Sequence, residues 1–240
     1  MRTIDLNADM GELTGAAGRA SDRNLLRYVT SANIACGYHA GDATVMKMTV
    51  EGCLELGVAI GAHPGLPDRE GFGRRRHAVG ADEAADMVLY QIGALQALIK
   101  AAGGTLAHVK LHGALYHMAS DDEAMAMAVA NAIYRLDDRL MLFGLPDTAW
   151  SQAVEACGLT FVAEGFADRA YLPDGRLMPR DREGAVHLSQ DAVAMQAIDL
   201  AASGRFGTIC LHGDGPGAVE HAMMVAEALQ GAGIAIRSTK

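Results

Sequence analysis

The strongest constraint on this chain lies at the ends of its short apolar runs. Run after run closes on Asp, Asn, His, Lys or Glu, and within a run those residues share one parity. Asp5, Asn7 and Asp9 fall on one side of the first run, and Ile4, Leu6 and Ala8 on the other. His108, Lys110 and His112 alternate in the same way with Val109 and Leu111. Side chains alternate across a β-strand. These runs therefore read as strands with one apolar face and one polar face, the polar residues gathering towards the C-terminal end. Several such strands meeting at one point line a catalytic or binding pocket.

Strand-like and helix-like segments alternate along the whole chain. Strands are expected at about Thr3–Asn7, Ser31–Cys36, Val58–His63, Leu106–His112, Leu140–Phe143, Leu159–Ala163 and Thr208–Leu211, with a short terminal strand at Ile234–Ile236. Helical spacing predicts helices near Asp22–Tyr28, from Asp42 to Leu56, and at Asp82–Ala102, Asp122–Leu136, Thr148–Ala156, Asp191–Ser203 and Ala218–Leu229. The stretch running to about Ser189 before the seventh strand's helix reads as a polar loop. Regular βα alternation implies parallel strands joined by right-handed crossovers. An open sheet of this kind is covered by helices on both faces and is apolar on both. Here one face per strand is polar or small, as at Asn33, at Gly61 and His63, and at Thr208, Cys210 and His212. A barrel with its site at the C-terminal rim accounts for that pattern. Residues 1–240 are read as a single α/β domain, a TIM-like barrel.

Bulk properties narrow the function classes. The chain has 240 residues, half of them hydrophobic, and a formal net charge of −9. That balance argues against a nucleic-acid partner, which calls for a basic face. No apolar run approaches the ~20 residues of a membrane span, and the N-terminus runs straight into a strand without a signal-peptide pattern. Cys36, Cys53, Cys157 and Cys210 are scattered without CxxC spacing and read as reduced thiols, so a cytoplasmic location is expected.

Four constellations carry chemistry. Asp5, Asp9 and Glu12, with Asn7 among them, form the densest acidic group. Such a group serves to bind a metal, to act as a general base or to hold a lysine; the bland alternative is a strand-end turn. His39 and Asp42 sit on a loop bracketed by Gly37 and Gly41, and Asp42 alone is equally well explained as a helix cap. His63 ends the third strand ahead of Arg74 and Arg75, whose guanidinium forks suit a phosphate or carboxylate, although a solvated surface run explains them as well. Lys110 and His112 share a face at the mouth of the fourth strand, where Lys110 either stabilises a developing negative charge or completes a structural ion pair. His108 lies deeper and reads as structural, and His117 as an ordinary helix or loop residue. His212 and Asp214 lie in a glycine-rich turn that is no P-loop, and no GxSxG or HExxH motif occurs. On residues alone the reading is hydrolytic or acid/base chemistry on a small polar substrate.

The segments Asp5–Glu12, Asn33–Asp42, Gly61–Arg75, Val109–Tyr116, Glu164–Tyr171 and Leu211–Val219 resemble, in order and over nearly the whole chain, the LamB/YcsF family. Members of that family are described as the A subunit of the ATP-dependent bacterial 5-oxoprolinase. The resemblance implies a seven-stranded βα barrel of the glycoside hydrolase/deacetylase type. It implies cleavage of the lactam of 5-oxo-L-proline to L-glutamate with ATP as co-substrate. It also implies a divalent metal such as magnesium as an accompanying candidate, and the B and C subunits of 5-oxoprolinase as partners. On that reading Asp5, Asp9, Glu12, Lys110 and His112 are the catalytic candidates, one carboxylate activating water. Asn7, Asn33, His39, Asp42, His63, Glu164, His212 and Asp214 are expected to contact substrate, and Arg74 and Arg75 to hold phosphate. Two rival readings are a stand-alone metal-dependent amide hydrolase or deacetylase and a non-catalytic scaffold.

Overall fold

The computed structural model describes residues 2–13, 15–173, 175–180, 182–211 and 217–239. Its elements are β1 (Arg2–Met10), α1 (Gly15–Leu25), β2 (Ser31–Ala35), α2 (Ala43–Leu56), β3 (Ala59–His63), α3 (Ala81–Ala101), β4 (Leu106–Lys110), α4 (Gly113–Asp121), α5 (Glu123–Leu136), β5 (Met141–Gly144), α6 (Ala149–Ala156), β6 (Thr160–Phe166), α7 (Gln190–Ser203), β7 (Thr208–Leu211), α8 (Ala218–Gly231) and β8 (Ile234–Ile236). Strands β1 to β7 pair in parallel in chain order, and β1 pairs with both β2 and β7, which closes a seven-stranded barrel. The terminal β8 adds outside the ring, against Arg2–Ile4 of β1. Strand β1 is the longest because three partners meet it at staggered registers: β8 at Arg2–Ile4, β7 at Asp5–Ala8 and β2 at Asn7–Met10.

The alternation of side chains sorts the barrel into two cores. Leu6, Ala8, Ile34, Val109, Leu142 and Ile209 are fully buried on the faces turned to the helices. The other parity fills the lumen with polar groups: Asp5, Asn7, Asp9, Ser31, Asn33, His63, His108, Lys110, Glu164 and Thr208 are all buried. Buried polar atoms cost free energy unless paired, and here they pair in layers. At the bottom, Thr30, Ser31 and Thr208 hydroxyls donate to the Asp5 carboxyl group. Above it, the Asn33 amide donates to Asn7 Oδ1 (2.7 Å) and Asp9 Oδ1 (2.9 Å).

His108 shares the middle layer, bonding Asn33 Oδ1 at 2.8 Å and stacking on Phe143. Burial pushes its imidazole down to about 3, so it is neutral. The small residues of β3 make room for this ring and not for a ligand, since a Cβ on Gly61 would collide with it. Gly61→Ala is therefore expected to destabilise the fold by about 1–3 kcal/mol through overpacking. Gly93→Ala, at an open and exposed position in α3, should stabilise by about 0.5–1 kcal/mol. Urea unfolding of the two variants checks the contrast; a Gly61→Ala midpoint equal to wild type would contradict the packing.

Several boundaries differ from expectation: α1 covers Gly15–Leu25 and not Asp22–Tyr28, and β1 runs past Asn7 to Met10. Strand β4 stops at Lys110, and His112 becomes the residue that opens α4, a nine-residue helix too short to announce itself by periodicity. Strand β6 runs on to Phe166. The stretch after it is a folded arm and not a simple polar loop. Isolated antiparallel bridges join Arg169 to Val186 and Tyr171 to Leu177. The Gln196 amide ties the arm to α7 by donating to the carbonyls of Phe166 and Arg169. Among the described residues, no helix is long and apolar enough to cross a membrane.

Candidate active site

Strand ends deliver two adjoining groups to one cavity of about 480 Å³ at the C-terminal mouth of the barrel. The first is built on Lys110. Its ammonium lies 2.9 Å from Asp9 Oδ1, from Glu164 Oε1 and from Cys210 Sγ, with Asn7 Oδ1 at 3.3 Å. Burial works against the charge, but Asp9, Cys210 and Glu164 outweigh it and hold Lys110 well above its usual value. Lys110 is thus a permanent cation that fixes two carboxylates. Glu164 is fixed further by Asn7 Nδ2 (3.1 Å) and by the Tyr116 hydroxyl, which donates to Oε2 (3.1 Å).

The second group is a nest of Glu12, His39, His63 and His112, all buried. Close backbone approach assembles it. A Cβ on Gly41 would sit 3.0 Å from the carbonyl of Gly11, so glycine lets the His39 loop press against the turn that carries Glu12. His63 and His112 face each other with their tautomers set from behind. His63 Nδ1 bonds the Lys110 carbonyl (2.7 Å) and His112 Nε2 bonds the Phe72 carbonyl (2.8 Å). A carbonyl only accepts, so both of those nitrogens carry hydrogen. Phe72 aims its carbonyl from a left-handed backbone, φ 54°, a conformation that costs a bulky residue about 1–2 kcal/mol. Burial and the neighbouring His63 push His112 down to about 3, and burial with His112 and His63 drives His39 lower still, so both are neutral.

The inner nitrogens of His63 and His112 are thereby left with lone pairs facing each other, close to Asp9 and Glu12. His63 Nε2 and His112 Nδ1 are 3.0 Å apart; His63 Nε2 is 3.3 Å from Asp9 Oδ2; His112 Nδ1 is 3.4 Å and His39 Nε2 3.0 Å from Glu12 Oε1. Acceptors this close repel unless a proton or a cation lies among them. Ligands on a tetrahedral ion with bonds of about 2.0–2.1 Å are about 3.3–3.4 Å apart. The donor chemistry of these four residues suits a metal ion, and their ligand atoms lie within 4.8 Å of one another. His39 stacks parallel on His112 at 3.7 Å, so a bound ion would draw the donors closer and turn one of those two rings.

Of the residues expected from sequence, Asp9, His63, Lys110, His112 and Arg74 line the cavity, with Glu12, His39, Asn7 and Glu164 directly behind them. Four others go elsewhere. Asp5 is four residues below Asp9, about 13 Å along the strand, and its three hydroxyl partners occupy it. Asn33 supports Asp9 and His108 from below. Asp42 is the N-cap of α2, accepting from the Val45 amide. Arg75 turns back onto Asp68, leaving Arg74 and Arg76 at the cavity. His212 and Asp214 lie outside the described residues. Sequence patterning does not single out Tyr116, Phe166, Arg169 and Arg180 as site residues, and it makes His117 ordinary; all five line the cavity, as does Arg76 of the basic loop that sequence offers as an anion binder.

The LamB/YcsF family model matches residues 4–240. The chain belongs to the LamB/YcsF family. A relative from Brevibacillus brevis, named as the A subunit of 5-oxoprolinase, is 47% identical over 98% of both chains. The crystal structure of a lactam utilization protein from Thermus thermophilus superposes with a TM-score of 0.91 at 42% identity, covering 98% of this chain and 99% of that one. A family 4 carbohydrate esterase from Streptomyces lividans shares the barrel alone, at TM-score 0.53 and 14% identity over 100% of this chain and 93% of that one.

Proposed function

We propose that this chain acts as the A subunit of a 5-oxoprolinase, a hydrolase that opens the cyclic amide of 5-oxo-L-proline to give L-glutamate. End-to-end similarity to a relative of that name carries the reading. The chemistry of the cavity is in keeping with it. Hydrolysis adds water to the lactam carbon, breaks the C–N bond and delivers a proton to the departing nitrogen. Asp9 offers Oδ2 to the cavity while Lys110 holds Oδ1, so Asp9 is the group we assign to take the proton from attacking water. Lys110 is too firmly charged to act as a base. It would place a fixed positive charge near the lactam oxygen, on which negative charge develops as water adds to the carbon. Tyr116 and Phe166 supply an apolar wall for the ring.

Glu12, His39, His63 and His112 would hold a divalent cation, which when bound supplies Lewis acidity to the lactam oxygen or to water. Three imidazoles and one carboxylate suit zinc or a similar late metal better than magnesium, which prefers oxygen ligands. We assign the use of ATP to the enzyme assembled with its B and C subunits. Phosphorylation of the lactam oxygen would weaken the ring amide before water attacks. The histidine nest favours one other reading, a metal-dependent amide hydrolase that acts alone.

One assay separates the two. Glutamate is measured from 5-oxoproline and ATP with this chain alone and with the B and C subunits added. Formation only in the mixture is the expected result. ATP-independent cleavage by the chain alone would favour the second reading, and none with competent partners would overturn the first.

A further inference from the structure

The chain is acidic overall, yet its cavity is not. Five of its 20 lysines and arginines line this one space: Arg74, Arg76, Lys110, Arg169 and Arg180. Asp9 is the only carboxylate among the described lining residues, and Lys110 already engages it. The reaction centre accounts for Lys110. It does not account for four arginines.

These four are not equivalent. Arg74 lies over the Phe72 ring and Arg76 pairs with Asp121, both on the exposed loop before α3. Arg169 is different in kind: it is only 5% exposed. It stands three residues beyond the end of β6, at the bridge that ties the arm together. Its guanidinium donates to two neutral acceptors, the Ala185 carbonyl from Nε (3.3 Å) and the Met178 carbonyl from Nη2 (2.7 Å). Those bonds fix the plane of the fork without neutralising it. Burial and the nearby charge of Arg180 both disfavour the cation, against a partial counterweight from Asp168. Arg169 and Arg180 both line the cavity, and the planar forks of two such guanidinium groups suit an oxyanion. Leu177 and Met178, from the same arm, add apolar surface beside them.

We propose that Arg169 and Arg180 form an oxyanion subsite that recognises the carboxylate of the substrate lactam, while its ring amide faces Asp9 and Lys110. The identity of the lactam rests on the 5-oxoprolinase reading. The subsite makes the site selective for lactams that carry a carboxylate. A phosphoryl group has related chemistry, and the test separates the two.

Binding of 5-oxoproline, of 2-pyrrolidinone (the same ring without the carboxylate) and of inorganic phosphate is measured by calorimetry on the full chain assembled with its partner subunits. Glutamate formation is followed alongside. Wild type is expected to prefer 5-oxoproline over 2-pyrrolidinone by about ten- to hundredfold, the scale of one charged hydrogen-bond pair. Arg169→Met should erase that preference. Arg180→Met, at a less buried position, should reduce it even if Arg169→Met fails to fold. Arg205→Met, at an exposed pair with Asp147 away from the cavity, should leave it intact. A preference that survives both cavity variants overturns the subsite while leaving the functional reading standing. Loss of phosphate binding alone in those variants assigns the forks to a phosphoryl group and overturns the carboxylate assignment. Failure of the wild-type complex to form glutamate overturns the functional reading itself, and the lactam assignment with it.

Discussion

Lys110→Met is expected to lower glutamate formation by about a thousandfold and to destabilise the fold by about 3–5 kcal/mol, the usual cost of stripping one partner from a buried ion pair. The reason is local. Asp9 and Glu164 are both buried, and the ammonium they share lies 2.9 Å from each. Methionine fills the volume but leaves two buried carboxylates without the cation between them.

A second substitution distinguishes structural from chemical loss. Lys110→Met combined with Glu164→Gln removes one of the stranded charges. Stability should recover by more than the sum of the single effects allows, whereas activity should not return, since the positive charge near the lactam oxygen is still missing. Recovery of both would make Lys110 a purely structural bolt. The sign of the pH dependence is fixed as well. Lys110 is raised above its ordinary 10.5 in the folded chain. Its contribution is therefore full at any pH below about 10 and is lost only as pH rises through the higher folded value. Thermal melts of wild type between about pH 7 and 9 should show no loss traceable to this group.

Much of this barrel was legible because alternation is a local property. Asp5, Asn7 and Asp9 share a parity that survives any choice of strand ends, and the same holds for His108, Lys110 and His112. Parity gives a face but not a depth. Asp5 and Asp9 look equivalent in the sequence, and only the register of β1 against β7, which sets Asp5 level with Thr208, puts one on the floor and the other at the mouth. Arg74 and Arg75 show the opposite limit. They are neighbours in a loop without periodicity, and it is Asp68, fixed by the Gly71 amide, that decides which one turns away. Arg169 was out of reach for a third reason. Its burial depends on Val186, Ala185 and Met178, 9 to 17 residues further on, joined by single bridges that leave no repeating pattern. The histidines were visible individually, but their tautomers depend on the carbonyls of Phe72 and Lys110, which no motif encodes.

Those tautomers lead to the second large effect. The purified chain is expected to hold about one late divalent metal per molecule, and His63→Ala or Glu12→Gln to abolish stoichiometric retention. Two backbone carbonyls take the hydrogens of His63 and His112 on their outer sides, so the inner nitrogens can meet at 3.0 Å only with something positive between them. A proton satisfies one such pair. Glu12 Oε1, 3.0 Å from His39 Nε2, lies 3.4 Å from His112 Nδ1 and 3.9 Å from His63 Nε2, and one cation would meet this carboxylate and both inner nitrogens together. Elemental analysis after exhaustive dialysis gives the stoichiometry. Cobalt(II) substitution gives a reading independent of turnover, because a four-coordinate nitrogen- and oxygen-ligated site absorbs strongly in the visible and a six-coordinate one does not. Chelation should lower the melting temperature, and re-addition of metal should restore it, by the linkage of binding to folding. A metal-free chain that takes up no cobalt would place a proton on His63, shared with Asp9 at 3.3 Å, and would turn the nest from a Lewis-acid centre into an acid/base relay.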